Sequence, residues 1–228
     1  MCFLYLLAMK KNIQILILLI STTGISQEKF SREISFITEN DLFISSYQDR
    51  YYSSGFFLAY TYLSKRKSNS LEKRIFKWEL GHKMYTPYKS TITNVVNHDR
   101  PFAGYFYGSF GIDRVYKKNQ LLNTSLQIGV IGPNSFAREI QQFIHDVYDF
   151  RKAIGWKYQI KNALALNFSF NYLKTILKTK KNHVDVTWVN HLNFGSIFTN
   201  TASGVYTRIG IKPLQKLTNT IAFNTNLN

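Results

Sequence analysis

The side chains of SGFFLAYTYL, residues 54–63, alternate between two faces, which makes this segment the clearest indication of the fold class. Phe56, Leu58 and Tyr60 fall on one face, and small or polar residues fall mostly on the other. The stretch FKWELGHKMY, residues 76–85, follows the same two-residue period. This period indicates β-strands, and roughly ten residues is the length that a tilted strand needs to cross a bilayer. We therefore predict an all-β chain that forms an antiparallel transmembrane β-barrel.

Alternating runs with aromatic residues near their ends recur along the rest of the chain, and polar, often basic links separate them. The other predicted strands are residues 33–38, 102–115, 121–131, 156–173, 183–198, 204–211 and 217–223. Aromatic residues at strand ends are typical of the girdles of outer-membrane barrels. Strands of soluble sandwiches are usually shorter, so the pattern favours a membrane barrel.

The N-terminal residues 1–26 have the pattern of an export signal. Lys10 and Lys11 precede an apolar run at residues 13–20, and small or polar residues follow it. A run this short cannot cross a membrane as a helix, which needs about 20 residues. A buried N-terminal helix is the alternative interpretation. We predict a signal peptide over residues 1–26 and a barrel domain over residues 27–228.

Charge and cysteine content narrow the possible functions. The formal net charge is +16 at pH 7, which favours a polyanionic partner. For an exported protein that partner is phosphorylated lipid A or an anionic bilayer, and not nucleic acid. Cys2 is the single cysteine and would leave with the signal, which excludes disulfides and thiol catalysis in the mature chain. His82, His98, His183 and His191 lack the spacing of zinc ligands, so we interpret them as structural.

One segment departs from the two-residue period and predicts a short helix. Its apolar residues lie on one helical face: Phe136, Ile140, Phe143, Ile144 and Val147. Asn134 or Ser135 is the predicted cap of this helix. Gln141 and His145 are four residues apart and share the opposite face. In water this polar face would be solvated, whereas on a barrel in lipid the apolar stripe would meet acyl chains and the polar face would meet the barrel wall.

A series of short motifs follows one order along the chain. They are END at 39–41, DRYYSSG at 49–55, HKMYTP at 82–87, DRPFAG at 99–104, GVIGP at 129–133, QxxxH at 141–145 and GWKYQ at 155–159. This series resembles the motifs of the lipid A 3′-O-deacylase family of LpxR-like outer-membrane proteins, over residues 33–173. The resemblance implies a barrel of roughly a dozen antiparallel strands. It also implies a calcium-dependent hydrolase that removes the 3′-linked acyloxyacyl chain from the lipid A of lipopolysaccharide.

The resemblance implies roles for particular residues. Asp41 matches the family's metal-holding carboxylate, and Asn40 its active-site neighbour. Calcium prefers such hard oxygen ligands. His145 matches the proposed general base, with Gln141 one helical turn before it. An imidazole with a pKa near ~6.5 accepts a proton from water at neutral pH, which suits ester hydrolysis.

Two further residues are implied to contact water or substrate. Ser53 matches a family hydroxyl that would position water or the substrate carbonyl, and Arg100 matches a basic residue that would bind a lipid A phosphate. Each polar candidate also has a structural interpretation. Asp41 would be a turn residue, Ser53 a strand hydroxyl and Arg100 a rim side chain that extends toward water.

Several alternatives stay open at this point. A non-catalytic barrel, either a pore or a lipopolysaccharide-binding protein, fits the same pattern, and so does an outer-membrane phospholipase. We expect a monomer in the outer membrane. The chain departs from the family at Asn162 and Ala163, where relatives commonly carry an acidic residue. Family members also continue for several strands beyond Asn228, so we expect this sequence to lack the terminal strands.

Overall fold

A computed structural model describes residues 31–41, 51–66, 68–89, 91 and 94–217. Within these residues the chain forms eight strands, and each pairs in antiparallel fashion with the next along the chain. The strands are β1 (Arg32–Asn40), β2 (Tyr51–Leu63), β3 (Leu71–Thr86), β4 (Ala103–Tyr116), β5 (Gln120–Ile131), β6 (Ala163–Lys178), β7 (Val184–Gly195) and β8 (Asn200–Ile209). The predicted signal peptide, and residues 218–223 of the last predicted strand, lie outside the described residues.

The antiparallel all-β architecture is confirmed, together with one short α-helix in the described part of the chain, α1 (Ala137–Tyr148). The sheet order runs from β1 to β8 without a crossover, and no ladder joins β1 to β8 among the described strands. The sheet is therefore open as far as it is described, and the sequence predicted a barrel without its terminal strands.

The register separates an apolar face of the sheet from a polar face. One row across five strands consists of Leu58, Leu80, Gly108, Ile128 and Leu166. The row beside it on the other face consists of Ala59, Glu79, Ser109, Gln127 and Asn167. We call the first the outer face and the second the inner face. Apolar side chains on one face and polar ones on the other are the pattern of membrane-barrel strands.

The connections differ at the two ends of the sheet. At one end, which we call the helix end, the connections between strands are residues 41–50, 87–102, 132–162 and 196–199. At the other, which we call the turn end, the connections are residues 64–70, 117–119 and 179–183, and residues 210–217 follow β8. Apart from residues 196–199, the connections of the helix end are longer than those of the turn end, which is typical of outer-membrane strands.

Short 3-10 helices occur in the connections of the helix end: Val95–Asn97, Pro133–Ser135 and Ile154–Tyr158. The last of these corrects the predicted strand 156–173, which begins only at Ala163. The predicted cap is also wrong, because Phe136 has a left-handed backbone conformation (φ 58°) before α1 and no side chain caps the helix. The Ser135 hydroxyl instead donates to the Gly132 carbonyl at 2.6 Å. Among the described residues, no helix is long and apolar enough to span a membrane.

Candidate functional site

Helix α1 turns its polar face toward the sheet and its apolar face away from it. Gln141 and His145 are only 4% and 7% exposed, whereas Phe143 is 69% exposed and Val147 50%. The helix contacts β3 and β4. Such an inverted helix is unfavourable in water and favourable in lipid, because the exposed stripe is apolar. The structure therefore agrees with the interpretation in which the polar face of the helix meets the sheet and the apolar stripe meets acyl chains.

An apolar cluster holds α1 against the outer face. It contains Met84, Phe102, Ala137, Ala153 and Trp156, with Phe56 and Ile140 packed against it. Gly104 lies opposite Met84 in the register, and a Cβ atom there would meet the Ser135 hydroxyl at 2.0 Å and the Ala137 Cβ at 2.3 Å. Only glycine allows the start of the helix to approach the strand this closely. His82 adds a hydrogen bond of 2.9 Å from Nε2 to the Ser135 carbonyl.

His145 is oriented by the chain that follows α1. Its Nδ1 lies 2.6 Å from the Arg151 carbonyl oxygen. A carbonyl can only accept, so Nδ1 carries the hydrogen and the lone pair that accepts a proton is on Nε2. The Phe150 ring packs edge-on to the imidazole at 5.8 Å between centroids. This contact thus fixes the orientation and the neutral tautomer of the imidazole.

Gln141 is oriented by Trp156. The indole Nε1 donates to the Gln141 Oε1 at 2.5 Å, and the indole itself is 1% exposed. Because the amide oxygen accepts this bond, the amide nitrogen is the end of Gln141 that donates. Phe102 packs on the same indole at 4.9 Å between centroids. Gln141 and His145, one helical turn apart on α1, are therefore both held in a fixed orientation by a hydrogen bond.

Ser53 lies in a β-bulge at the start of β2. In the register Tyr52 is opposite Tyr85 and Ser54 is opposite Met84, so Ser53 is the extra residue. It is buried, and its hydroxyl donates to the Met84 carbonyl at 3.3 Å. Bulges often occur beside active sites because they redirect a side chain. The contact with Met84 ties Ser53 to the strand segment whose side chain packs below α1.

Asn40 and Asp41 end β1 at the same end of the sheet. Asn40 is opposite Ser54, so the outer face continues from Asn40 through Ser54 and Met84 to Gly104 below the start of α1. Asp41 comes directly after the strand, before residues 42–50, which are not described. The structure therefore brings Asn40, Asp41, Ser53 and helix α1 to the same end of the sheet.

Arg100 occupies the exposed rim of the helix end. Its guanidinium stacks over the Tyr51 ring at 4.0 Å and pairs with Asp99 at 3.3 Å. The Asp99 carboxylate accepts from the Tyr88 backbone N–H at 2.8 Å. This hydrogen bond, with the nearby Arg100, lowers the pKa of Asp99 below its ordinary value, so the carboxylate stays ionised. Arg100 is thus fixed at the rim rather than brought into contact with the buried pair on α1.

The prediction missed two groups that orient the candidate residues. The Trp156 indole belongs to the GWKYQ motif, but the alternating pattern placed it in a strand. The Arg151 carbonyl that orients His145 is a backbone group and has no side-chain signal in the sequence. The roles of His145, Gln141, Ser53, Asn40, Asp41 and Arg100 stay predictions.

A groove on the outer face lies between the helix end and the turn end. It has a volume of about 760 Å³ and lies over Gly108, whose missing side chain leaves the space open. Its walls include Leu58, Tyr60, Trp78, Leu80 and Phe110. The groove is strongly apolar. The next row of the outer face toward the helix end is His82 opposite Phe106, so the groove and α1 lie on the same face, one after the other along the strands.

An antiparallel sheet with an apolar outer face, together with a helix that exposes its own apolar stripe, defines an outer-membrane β-protein with a candidate site on its lipid-facing side. A family model described as outer membrane protein LpxR matches residues 13–224. The chain belongs to this LpxR family, which confirms the resemblance seen in the motifs.

The chain is similar to a solved structure, LpxR from Salmonella typhimurium, with a TM-score of 0.58 and 21% sequence identity. The alignment covers 70% of this chain and 53% of that one, so the chain spans about half the length of the relative that it matches. At this identity the likeness supports the fold alone. A comparison with curated proteins finds no match.

Proposed function

We propose that this protein is an outer-membrane lipid A deacylase, a hydrolase that removes the 3′-linked acyloxyacyl chain from lipopolysaccharide. The observation that carries the proposal is the inverted helix α1, which buries Gln141 and His145 against the outer face of the sheet. Membership of the LpxR family supports the same activity. A base at this position would be reached from the bilayer, where lipid A resides. We further propose that the strands belong to a closed monomeric barrel.

The proposed reaction is a direct hydrolysis with water as the nucleophile. His145 Nε2 takes a proton from water while the water oxygen adds to the ester carbonyl carbon. The bond between the carbonyl carbon and the 3′ oxygen of the sugar then breaks, and the imidazolium returns the proton to that departing sugar oxygen. The products are a free carboxylic acid and a lipid A hydroxyl. The Arg151 carbonyl supports this role because it keeps the hydrogen on Nδ1.

Other groups would position the substrate. The Gln141 amide nitrogen is the donor end of that side chain, so it would donate to the ester or to the attacking water. The Ser53 hydroxyl, which lies beside the Met84 carbonyl, would help to position the water or the substrate carbonyl. Arg100 would bind a lipid A phosphate at the rim, because its guanidinium is exposed and already oriented by Asp99 and Tyr51. The apolar groove over Gly108 would receive an acyl chain along the wall.

We propose Ca²⁺ as the cofactor. Asn40 and Asp41 are adjacent at the end of β1 and offer amide and carboxylate oxygens, which is the chemistry that calcium prefers. No cluster of three His, Cys, Asp or Glu side chains is present in the described part of the chain, so other oxygens would complete the ligand set. A bound calcium ion would polarise the ester carbonyl. Removing calcium with EGTA should abolish activity and lower the unfolding temperature, and Asp41→Asn should make that temperature insensitive to calcium.

The experiment that tests the hydrolase is acyl release from purified lipopolysaccharide by the full-length protein, followed by mass spectrometry of lipid A. His145→Ala should reduce the rate by about 10²- to 10⁴-fold, the usual contribution of a general base. His183→Ala is the matched control, since His183 also bonds a backbone carbonyl, that of Gly210 at 2.9 Å, but lies at the turn end. An active His145→Ala enzyme would refute the assigned base.

The same assay separates the alternatives. A non-catalytic barrel would release no acid from lipopolysaccharide under any condition. A phospholipase would release fatty acid from phospholipid vesicles and leave lipid A intact. Either result would refute the proposed substrate class.

A further inference from the structure

Two arginines face each other on the outer face at the turn end. Arg74 of β3 is directly opposite Arg114 of β4. Side chains alternate along a strand, and the next row on the same face contains Phe76 opposite Ile112. Both guanidinium groups therefore extend from the apolar outer face, and both residues are half-buried.

This pair lacks a counter-charge within the described residues. Like charges directly opposite each other across two strands are destabilising. Neither arginine takes part in an ion pair in the described part of the chain. Arg114 Nη1 donates to the Thr124 hydroxyl at 3.0 Å, but the Arg74 Nε is buried and has no hydrogen-bond partner among the described residues. An anion beside both groups would accept hydrogen bonds from the guanidinium nitrogens and offset the repulsion.

Along the strands, the arginine pair lies at the depth expected of a membrane interface. Aromatic rings follow it on the outer face: Tyr62 stacks on Phe76 at 5.2 Å, and Trp78 packs on Phe110 at 4.6 Å. Such aromatic belts lie where hydrocarbon meets headgroups. The apolar residues of the groove come next toward the helix end. Arg74 and Arg114 thus lie on the headgroup side of the belt.

The turns around the pair are uniformly basic. In the described turn residues the charged side chains are Lys65, Arg66, Lys117, Lys118, Lys180, Lys181, Lys212 and Lys216. No acidic residue occurs in residues 64–66, 68–70, 117–119, 179–183 or 210–217. This field attracts anionic lipid to the turn end, as basic residues near a membrane surface do.

We propose that Arg74 and Arg114 form a binding site for the phosphate of an anionic phospholipid headgroup. The two guanidinium groups would share one phosphate, with the acyl chains lying against the aromatic belt. This inference rests on the outer face meeting lipid and does not depend on the hydrolase. If the hydrolase proposal also holds, the site lies in the leaflet opposite to the substrate.

The test uses the full-length protein in vesicles and the lipid quenching of Trp78, which is on the same strand and face as Arg74; Trp156, at the helix end and 1% exposed, remains as a buried background signal. A Trp188→Phe background removes a second outer-face indole. Quenching by brominated phosphatidylglycerol is compared with quenching by brominated phosphatidylcholine. We expect the anionic lipid to be preferred, and Arg74→Gln with Arg114→Gln to lower that preference by at least about fivefold, the ratio that corresponds to about 1 kcal/mol.

The matched control is Lys117→Gln with Lys118→Gln, which removes the same charge from the adjacent turn. It should retain most of the preference. An equal loss in both double variants would mean diffuse attraction only, and no loss in the arginine variant would exclude the site; either result overturns the proposal.

Two further arms complete the test. Inorganic phosphate, compared with sodium chloride at equal ionic strength, should not displace the lipid; displacement would identify a site for a soluble anion. Folding is checked by heat-dependent gel mobility. If the glutamine variant does not fold, Arg74→Lys with Arg114→Lys decides the question, because lysine keeps the charge and loses the planar fork. An unchanged preference in the lysine variant would refute shared guanidinium binding.

Discussion

Replacing Trp156 by phenylalanine tests whether the orientation of Gln141 matters for the proposed hydrolysis. The change removes the Nε1–H that donates to the Gln141 Oε1 at 2.5 Å, and it keeps an aromatic ring against Phe102. The amide oxygen would then be buried without this partner, which costs about 1–3 kcal/mol. If about 2 kcal/mol of this cost adds to the activation free energy of hydrolysis, kcat falls about 30-fold.

The assay is acyl release from lipopolysaccharide at several substrate concentrations, with kcat and KM determined separately. We expect kcat to fall while KM changes little, because Arg100 and the rim are untouched. Trp188→Phe is the control: it removes a comparable hydrogen bond, to the Ser203 hydroxyl at 2.9 Å, at an exposed site on β7. In the Trp156→Phe background, Gln141→Leu should add little, because the two residues act through one contact.

A folded Trp156→Phe protein whose kcat lies within about twofold of the Trp188→Phe value would show that the Trp156 contact does not position Gln141 for hydrolysis. A large additional effect of Gln141→Leu in the Trp156→Phe background would also contradict this positioning role. Thermal unfolding of both tryptophan variants, followed by gel mobility, separates a positioning effect from loss of the fold.

Other predictions follow from close contacts elsewhere. Gly104→Ala should displace α1 and abolish acyl release while the strands persist, because the new Cβ would meet Ser135 and Ala137 at 2.0 and 2.3 Å. A Cβ at Gly204 would meet nothing within 4 Å, so Gly204→Ala should have no such effect. Equal activities of the two variants would contradict this packing argument. Arg208→Met should destabilise the protein by about 3–5 kcal/mol in denaturant unfolding, because Asp185, whose Oδ1 accepts from Arg208 Nε at 3.0 Å, is left buried and charged. Adding Asp185→Leu should restore much of that loss, and failure to do so would exclude the ion pair as its cause.

Local patterns in the sequence predicted most of the strands. The two-residue period of residues 54–63 and 76–85 falls within β2 and β3, and residues 121–131 fall within β5. These predictions succeed because alternation follows directly from strand geometry and needs no knowledge of neighbours. The same pattern failed at Trp156, where an apolar run enters the core below α1 as a 3-10 helix. A buried loop residue and a buried strand residue are both apolar, so pattern alone does not distinguish them.

The candidate site was predictable only in part. The spacing of Gln141 and His145 placed them on one helical face, and the motif order indicated the family. The sequence left open whether that face meets water or protein, because a hydrophobic stripe marks the buried side in water and the exposed side in lipid. Contact of α1 with β3 and β4 decided this.

The strands, the spacing on α1, the excess of positive charge and the family motifs can be read from the sequence, because each is a property of residues near one another in the chain. Packing between distant segments was needed to show that Ser53 is the extra residue of a bulge, that Trp156 orients Gln141, and that Arg74 faces Arg114. These facts depend on register and packing between segments far apart in sequence. Many residues must pair correctly at once to set them, and no local pattern records the result.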